Sequence, residues 1–463
     1  MDLRDKKVLV MGLGVHGGGL GVTRWLLKQG ARVTVTDLRN AEQLTASLEA
    51  LRGMPVEFVL GEHRESDFST ADLIVRNPGV PRDSKYLAIA QAHGIPIEME
   101  MGLFFEQLPR GAEQVVGITG TKGKTTTTLM LGAILQKAEP KTVVAGNLRV
   151  SALELLDRID ANTPVVLELS SWQLEAFETH QTDPHYAAVT NISPDHLNRY
   201  ASFDEYAQAK ALIFRFQQPG DFLVLNFDNP TLTHLRRRAL SRVVWFSARR
   251  ILNEGAYLER NSLVWNWQGE KRQVIQADEL QVWGAHNVEN ALAAIALAGV
   301  WGAPVEVMRE ALREFRGAEH RLELVREVGG VKFINDTTAT APAATIAALE
   351  AVAPHARNIV LMTGGADKEL VFDEMAQAIA ARNVQVILLK GTATEKIRAA
   401  LELAGAGDRI IGRFADFGEG IRRGYASSGP GDVLLLSPGC ASFGMFANEF
   451  ERGNEFKRIV MEI

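Results

Sequence analysis

Short apolar runs that stop at Gly, Asp or Asn-Pro recur along the chain, with helical patterns between them. The first three occupy residues 7–12 (KVLVMG), 32–37 (RVTVTD) and 72–79 (DLIVRNPG). Apolar strands separated by helices are typical of parallel sheets whose two faces are both covered. The pattern therefore predicts an α/β fold.

This arrangement occurs three times in 463 residues, a length that suits about three domains. The second and third series of apolar runs occupy residues 115–120, 164–170, 186–191 and 221–230, and then 331–336, 358–365, 384–391 and 432–439. Between them, alternation over residues 257–276 predicts antiparallel strands, and residues 288–301 predict an Ala-rich helix. We expect an N-terminal Rossmann-like domain over 1–109, a central P-loop ATPase-like domain with a small antiparallel part over 110–316, and a C-terminal Rossmann-like domain over 317–463.

The composition excludes several classes of partner. The 56 acidic and 50 basic side chains give a net charge of −6, without the basic excess of a general nucleic-acid binder. A single cysteine, Cys440, excludes an intramolecular disulfide and suits a reducing compartment. No apolar run approaches the roughly 18 residues needed to span a bilayer. We expect a cytoplasmic protein that binds neither nucleic acid nor membrane.

The first glycine-rich loop joins a predicted strand to a predicted helix. Gly12, Gly14 and Gly17 form a GxGxxG pattern, and Asp37 ends the next strand 20 residues later. Such glycines let the backbone approach a phosphate at a helix N-terminus, and the acid takes a ribose hydroxyl. Either a dinucleotide cofactor or a nucleotide-linked substrate satisfies this pattern.

The second glycine-rich loop, residues 117–126 (GITGTKGKTT), again follows a strand and precedes a helix. Its backbone amides would hold phosphates, Lys124 would neutralise the β/γ charge, and Thr125 would ligate Mg²⁺. Five residues separate Gly117 from Gly123 rather than the usual four, and Gly120 is an additional glycine. The loop predicts that ATP is the energy source.

Seven motifs, in family order and spread over the whole chain, carry a resemblance to the Mur ligases. They are residues 119–126 (TGTKGKTT), 167–175 (LELSSWQLE), 190–200 (TNISPDHLNRY), 209–214 (AKALIF), 284–294 (GAHNVENALAA), 319–325 (EHRLELV) and 435–446 (LLSPGCASFGMF). Mur ligases are ATP-dependent amide-bond ligases of peptidoglycan precursor synthesis. The N-terminal nucleotide loop and the SPxxAS segment most resemble members that add D-glutamate to UDP-N-acetylmuramoyl-L-alanine.

The resemblance implies an acyl-phosphate reaction that releases ADP and phosphate, with ATP and two Mg²⁺ ions, in a monomeric enzyme. By resemblance, the catalytic residues are Lys124, Glu168, His196 and Lys210. The Mg²⁺ ligands are Thr125, Glu168, His196 and a carbamylated Lys210. The ATP-binding residues are Gly120, Thr121, Lys122, Gly123, Lys124, Thr125, Thr126, Asn287, Arg321 and Asp336.

The substrate-binding residues are also implied by resemblance. The UDP-substrate would contact Gly14, Val15, His16, Gly17, Asp37, Leu38, Arg39, Asn77, Gly79, Asn147 and His196. The incoming amino acid would contact Thr340, Lys368, Ser442 and Phe443. A cation and hydroxyl groups suit a ligand with two carboxylates.

Three departures concern the amino-acid site. Residues 337–340 read TTAT where the family usually has SKAT, so one lysine is lost. The acid before Lys368 is shifted by one place, and Glu449 stands where an aromatic residue is common. These changes leave open a related ligase for L-glutamate or another acidic amino acid. A dehydrogenase or nucleotide sensor that uses the first loop for NAD is a second alternative, but it leaves residues 117–126 and 168–196 without a role.

Overall fold

The computed structural model describes residues 2–14, 17–148, 150–195, 199–367 and 369–463. The chain forms two compact units, one made of residues 1–277 and 288–313 and the other of residues 278–287 and 314–463. Both units are built on mostly parallel sheets with helices between the strands, which confirms the α/β prediction. The bounds at 109/110 and 316/317 stay a prediction.

The first unit begins with a parallel sheet. Within the described ranges its strands are β1 (Lys7–Met11), β2 (Arg32–Asp37), β3 (Val56–Leu60), β4 (Leu73–Arg76) and β5 (Ile97–Glu98). They lie in the order β3-β2-β1-β4-β5. The helices of this part are α1 (Gly18–Lys28), α2 (Thr45–Glu49), α3 (Glu65–Thr70), α4 (Lys85–Ala92) and α5 (Glu100–Gln107).

The second sheet of this unit is larger and mixed. Its described strands are β6 (Val115–Thr119), β7 (Val143–Gly146), β8 (Val165–Glu168), β9 (Tyr186–Val189), β10 (Phe222–Asn226), β11 (Arg242–Ser247), β12 (Gly255–Glu259), β13 (Ser262–Trp267) and β14 (Glu270–Gln276). Their order is β14-β13-β12-β11-β10-β9-β6-β8-β7, and β13 pairs antiparallel with both its neighbours. The helices are α6 (Lys124–Ala138), α7 (Glu175–His180), α8 (Phe203–Ala211), α9 (Pro230–Leu235), α10 (Ala285–Trp301) and α11 (Val305–Glu314). The first three residues of α10 and the last residue of α11 belong to the second unit.

The second unit holds a third sheet. As far as the chain is described, its strands are β15 (Glu323–Val328), β16 (Val331–Asn335), β17 (Ile359–Thr363), β18 (Val384–Leu389), β19 (Ile410–Phe414) and β20 (Val433–Leu436). The order is β15-β16-β20-β17-β18-β19, and only β15 runs antiparallel to its neighbour. The helices are α12 (Pro342–Val352), α13 (Asp373–Ala380), α14 (Thr394–Leu403), α15 (Phe417–Ala426) and α16 (Glu449–Glu462).

The central strands of the third sheet are buried on both faces. Along β17, Ile359 and Leu361 pack into one apolar cluster, whereas Val360 and Met362 pack into another on the opposite face. Side chains alternate across a strand, so a strand covered on both sides must be apolar throughout. This explains why the sequence shows continuous apolar runs here.

The structure confirms most of the predicted elements. The alternating stretch at residues 257–276 falls on β12 to β14, and the Ala-rich segment forms α10. Helix α1 begins at Gly18, so the glycines directly after the first loop are already helical. No helix in the described part of the chain combines the length and apolar character needed to cross a membrane.

The Gly19→Ala substitution tests how closely α1 approaches the first glycine loop. A Cβ on Gly19 would lie 2.4 Å from the carbonyl oxygen of Leu13, whereas a Cβ on Gly18 would meet nothing nearer than 3.7 Å. We expect Gly19→Ala to lower the free energy of unfolding by about 1–3 kcal/mol, since backbone atoms must shift. Gly18→Ala, the matched control, should be neutral or stabilising by up to about 1 kcal/mol. Urea unfolding of both variants measures this, and equal stabilities would contradict the close approach.

Candidate functional site

The second glycine-rich loop connects β6 to α6, and two of its glycines have no room for a side chain. Gly120 (φ +151°) and Gly123 (φ +83°) adopt backbone conformations that favour glycine. A Cβ would lie 1.9 Å from Thr190 Oγ1 at Gly120, and 2.2 Å from Asn290 Oδ1 at Gly123. Gly123 directly precedes the 15-residue helix α6. The loop therefore ends at a helix N-terminus, where backbone N–H groups and the helix dipole attract anions.

The end of β9 holds this loop in place. The backbone N–H of Lys122 donates to Asn191 Oδ1 (3.0 Å), and Thr190 Oγ1 donates to the carbonyl oxygen of Lys122 (2.6 Å). Thr121 Oγ1 is 3.2 Å from the Tyr206 hydroxyl on α8. The predicted residues 120–126 therefore form a braced loop and the first turn of α6, at the carboxyl ends of parallel strands, where α/β sheets bind ligands.

Two lysines converge on one carbonyl group of the loop. Lys124 Nζ donates to the carbonyl oxygens of Gly120 (2.9 Å) and Thr121 (3.1 Å), and Lys210 Nζ also donates to that of Gly120 (2.7 Å). Thr125 lies in the first turn of α6 and is half-buried. The loop, both lysines and Thr125 are therefore close together.

Lys210 is buried, with 2% of its surface exposed. Burial, and then the neighbouring Lys124 charge, lower the pKa of Lys210 to about 6, although Asp195 and Glu168 oppose the shift. At neutral pH this amine is therefore mostly uncharged, which is the nucleophilic form of a lysine.

Glu168 ends β8 and is 1% exposed. Its Oε1 accepts a hydrogen bond from Asn147 Nδ2 (2.7 Å), while Oε2 has no hydrogen-bond partner among the described residues. A buried carboxylate oxygen without a partner is costly, and hard divalent cations prefer such oxygen ligands. The donor set therefore fits the Mg²⁺ ion that the resemblance implies. His196, the other predicted ligand on this side, lies outside the described residues.

The first glycine loop lines a cleft of about 910 Å³ within the first unit. Gly12, Gly14 and Gly17 all have positive φ, and Gly17 directly precedes α1. Asp37 accepts hydrogen bonds from the backbone N–H of Gly14 (3.1 Å) and of Arg39 (2.9 Å). The acid predicted for a ribose contact thus also braces the loop.

Most of the residues predicted for the UDP-substrate line this cleft. They are Gly14, Asp37, Leu38, Arg39, Asn77, Gly79 and Asn147. Asn77 Oδ1 accepts from the backbone N–H of Gly79 (3.0 Å), so the turn after β4 is shaped by its own side chain. Val15 and His16 lie outside the described residues.

The sequence analysis missed the arginine that ties this cleft to the second sheet. Arg199 donates to the carbonyl oxygens of Pro78 (2.9 Å) and Gly79 (3.3 Å), and its guanidinium lies 4.4 Å from the centre of the Trp172 ring. Trp172 and Pro78 both line the cleft. Only the position of Arg199 within the 190–200 motif could have indicated it.

In the second unit, Asp336 is buried and braces the turn that carries Arg321. Its Oδ1 accepts from the backbone N–H of Leu322 (3.2 Å), and its Oδ2 accepts from Ser437 Oγ (2.8 Å). Burial raises the pKa of Asp336 to about 7, despite these hydrogen bonds. His320 and Leu322, on either side of Arg321, have positive φ, and Arg321 itself is exposed. Asn287, also in this unit, donates to the carbonyl oxygen of Trp283 (2.7 Å).

Ser442 follows β20 and is 3% exposed, and its Oγ has no hydrogen-bond partner among the described residues. A buried hydroxyl group of this kind is available to a ligand. Phe443 is 55% exposed, and Thr340 is half-buried. Lys368 lies outside the described residues.

A buried arginine that the sequence analysis missed underlies this region. Arg452 on α16 is 2% exposed, and it donates to Thr337 Oγ1 (2.9 Å), to the carbonyl oxygen of Thr337 (2.9 Å) and to that of Cys440 (3.3 Å). Burial lowers the pKa of Arg452 to about 10, so it remains charged at neutral pH. It therefore supplies positive charge beside the segment that lacks the family's lysine.

Models of three protein families match the chain. They are the Mur ligase MurD-like N-terminal domain (residues 6–98), the Mur ligase middle domain (118–298) and the Mur ligase glutamate ligase domain (320–440). The chain is 50% identical to the UDP-N-acetylmuramoylalanine--D-glutamate ligase of Roseiflexus sp. (strain RS-1), with 99% of each chain covered. It is 40% identical to the ligase of the same name from Symbiobacterium thermophilum, with 98% of each covered.

Solved structures share the fold. UDP-N-acetylmuramate-alanine ligase MurC from Thermotoga maritima is similar at a TM-score of 0.64 and 23% identity, with 99% of each chain covered. MurF ligase from the same organism, in complex with ADP, is similar at 0.58 and 17%, with 100% of this chain and 96% of that chain covered.

Glu168→Gln tests whether the partnerless oxygen is a cation site. Without ligand, we expect unchanged or slightly higher stability, because a buried unpaired charge is removed. The stabilisation that Mg²⁺ and ADP give together should fall by about 1–3 kcal/mol, because an amide is a weaker ligand for a hard cation. Thermal unfolding with and without Mg²⁺ and ADP measures both effects, with Asp204→Asn on the surface as the control. A full Mg²⁺–ADP shift in Glu168→Gln would contradict the assignment.

Proposed function

The chain belongs to the Mur ligase family, and we propose that within it this protein adds D-glutamate to UDP-N-acetylmuramoyl-L-alanine. The observation that carries this is the 50% identity, over 99% of both chains, to a relative named for that reaction. The family uses ATP and Mg²⁺, and the product here would be the extended UDP-linked precursor of peptidoglycan, with ADP and phosphate released.

The reaction has two steps. An oxygen of the substrate carboxylate attacks the γ-phosphorus of ATP, ADP leaves, and an acyl phosphate forms. The amine of D-glutamate then attacks the acyl carbon, phosphate leaves, and the amine loses a proton. The first step brings two anions together, so positive charge must be present where they meet.

The second glycine loop supplies that charge. The N–H groups at the start of α6 and the Lys124 ammonium group would bind the β- and γ-phosphates. When bound, Mg²⁺ neutralises phosphate charge and polarises the phosphoryl oxygens. We assign its ligands to Thr125, Glu168, His196 and a carbamylated Lys210, for two ions. In the second unit, Asn287, Arg321 and Asp336 would contact the nucleotide.

The cleft beside the first glycine loop would bind the UDP moiety. The backbone N–H groups at the start of α1 suit a diphosphate, and Asp37 and Arg39 suit the nucleoside. Asn147 also donates a hydrogen bond to Glu168, so it would link the bound substrate to the metal ligand.

The amino acid would bind in the second unit at Thr340, Lys368, Ser442 and Phe443. The buried, unpartnered hydroxyl of Ser442 and the charge of Arg452 support a dicarboxylate ligand here. Arg452 offsets in part the lysine that residues 337–340 lack. We therefore keep D-glutamate as the substrate despite the three departures.

The domain bounds 1–109, 110–316 and 317–463 remain part of the proposal. Each would carry most of the contacts to one ligand, in the order UDP-substrate, ATP and amino acid. We further propose a monomer that acts in the cytoplasm, where ATP and UDP-linked precursors occur together.

An amino-acid panel tests the function. With ATP, Mg²⁺ and UDP-N-acetylmuramoyl-L-alanine present, phosphate release should require D-glutamate and be at least about tenfold slower with L-glutamate or D-aspartate. A preference for L-glutamate would show that the amino acid is wrong. Absence of release with every amino acid would overturn the ligase assignment.

The Lys124→Ala variant tests the role of the second glycine-rich loop in the same assay. We expect ADP formation to be lost, because the β/γ charge is no longer neutralised, while UDP-substrate binding measured by calorimetry largely survives. ADP formation near the wild-type rate would contradict the role of this loop.

The low pKa of Lys210 predicts that it reacts readily with CO₂. After incubation with ¹³C-bicarbonate, the wild-type protein should show a carbamate ¹³C NMR signal that Lys210→Ala lacks. Lys137→Ala, which removes a more exposed lysine on α6, should retain it. A wild-type spectrum without the signal would contradict the carbamate.

A further inference from the structure

Glu100 is a buried acid on the floor of the cleft that the proposed function assigns to the UDP-substrate. It is the first residue of α5 and is 6% exposed. It lines both the 910 Å³ cleft and a small adjoining cavity. No lysine or arginine within the described ranges forms an ion pair with it, although a buried carboxylate normally requires one.

The two oxygens of Glu100 have different surroundings. Oε1 accepts hydrogen bonds from Ser151 Oγ (2.6 Å) and from the backbone N–H of Ala152 (3.0 Å). Oε2 faces the first turn of α1, 3.7 Å from where a Cβ of Gly18 would lie. Glu100 therefore lies between Ser151 and the helix N-terminus that would bind the diphosphate.

The pKa of Glu100 lies near neutral pH. Burial raises its pKa to about 7, and Glu154 adds to the shift, although the hydrogen bonds from Ser151 and Ala152 oppose it. The diphosphate of a UDP-sugar carries two negative charges that do not titrate near pH 7. Its arrival at α1 disfavours a second anion beside it.

We propose that Glu100 is a positioning residue that takes up one proton from solvent when the diphosphate of the UDP-substrate binds. The carboxylate and the proton form a neutral carboxyl group, and no bond of the substrate changes. The neutral group keeps Ser151 and the first turn of α1 together beneath the phosphates without repelling them. This inference rests on the proposed function, because it requires a UDP-linked ligand in this cleft.

The charged groups around Glu100 on the neighbouring elements have partners of their own. On α1, Arg24 pairs with Glu154 of the 152–158 segment (3.3 Å), and on β4, Arg76 pairs with Glu175 (2.6 Å). On β5, Glu98 accepts a hydrogen bond from His180 (2.8 Å).

Asp37 and His63 also line the cleft. The Asp37 carboxylate accepts from the backbone N–H of Gly14 and of Arg39. Burial lowers the pKa of His63, so this ring is uncharged above pH 7. The pKa of Glu100 itself is raised by burial to about 7.

Calorimetry of UDP-N-acetylmuramoyl-L-alanine binding to the full-length protein, without ATP, tests the inference from pH 6.5 to 8.5. The wild-type affinity should be flat below pH 7 and fall by up to about tenfold per unit above it. Glu100→Gln should bind with little pH dependence and, at pH 8.5, more tightly than the wild type. Glu154→Gln should keep the fall but begin it at a lower pH than the wild type, because the Glu154 charge that helps to raise the pKa of Glu100 is gone.

A second measurement needs no variant. Binding heats of the wild type at pH 7.5, in buffers with different ionisation enthalpies, should show net proton uptake of up to about three quarters of a proton per ligand, because a group with a pKa of about 7 is already partly protonated at this pH. Heats that show no uptake, a flat wild-type profile, or an equal fall in Glu100→Gln would overturn the inference. Absence of binding at every pH would instead overturn the proposed function.

Discussion

The two lysines of the central site are arranged around the carbonyl group of Gly120. Lys124 and Lys210 both donate to it, and the N-terminus of α6 adds further positive potential. Two ammonium groups this close cannot both keep their charge in a buried environment, so the more buried one, Lys210, loses its proton readily. Glu168 contributes the opposite charge with one oxygen unpartnered. The arrangement is unfavourable by itself and becomes favourable when a polyanion and a cation bind, which is what phosphoryl transfer requires.

Buried carboxyl groups have a second purpose in this chain, since they join segments that are distant in sequence. Glu100 connects α5 with Ser151, and Asp336 connects the turn at Leu322 with Ser437. Both have a pKa raised to about 7 by burial. Their cost is tolerated because each accepts two hydrogen bonds, which hold a ligand-binding loop more firmly than apolar contacts alone would.

Sequence reasoning was most effective where the constraint is local. The positions of Gly120 and Gly123 predicted a phosphate loop, and their positive φ angles and lack of space for a Cβ agree with that reading. It failed for Arg452 and Arg199, whose partners lie 115 and about 120 residues away. The TTAT segment suggested a missing cation, and no spacing rule could indicate that α16 brings an arginine beneath it.

The order of strands and glycine loops along the chain therefore determined the α/β class, the two nucleotide-type loops and the family resemblance. These features depend on residues that are neighbours in sequence and on glycines, which have no side chain. Tertiary structure alone decided which charges are buried together. The pKa of Lys210 on α8 falls and the pKa of Glu100 on α5 rises only because packing removes water from both groups and brings other charges near. Desolvation depends on every surrounding element, so it cannot be determined from one segment of sequence.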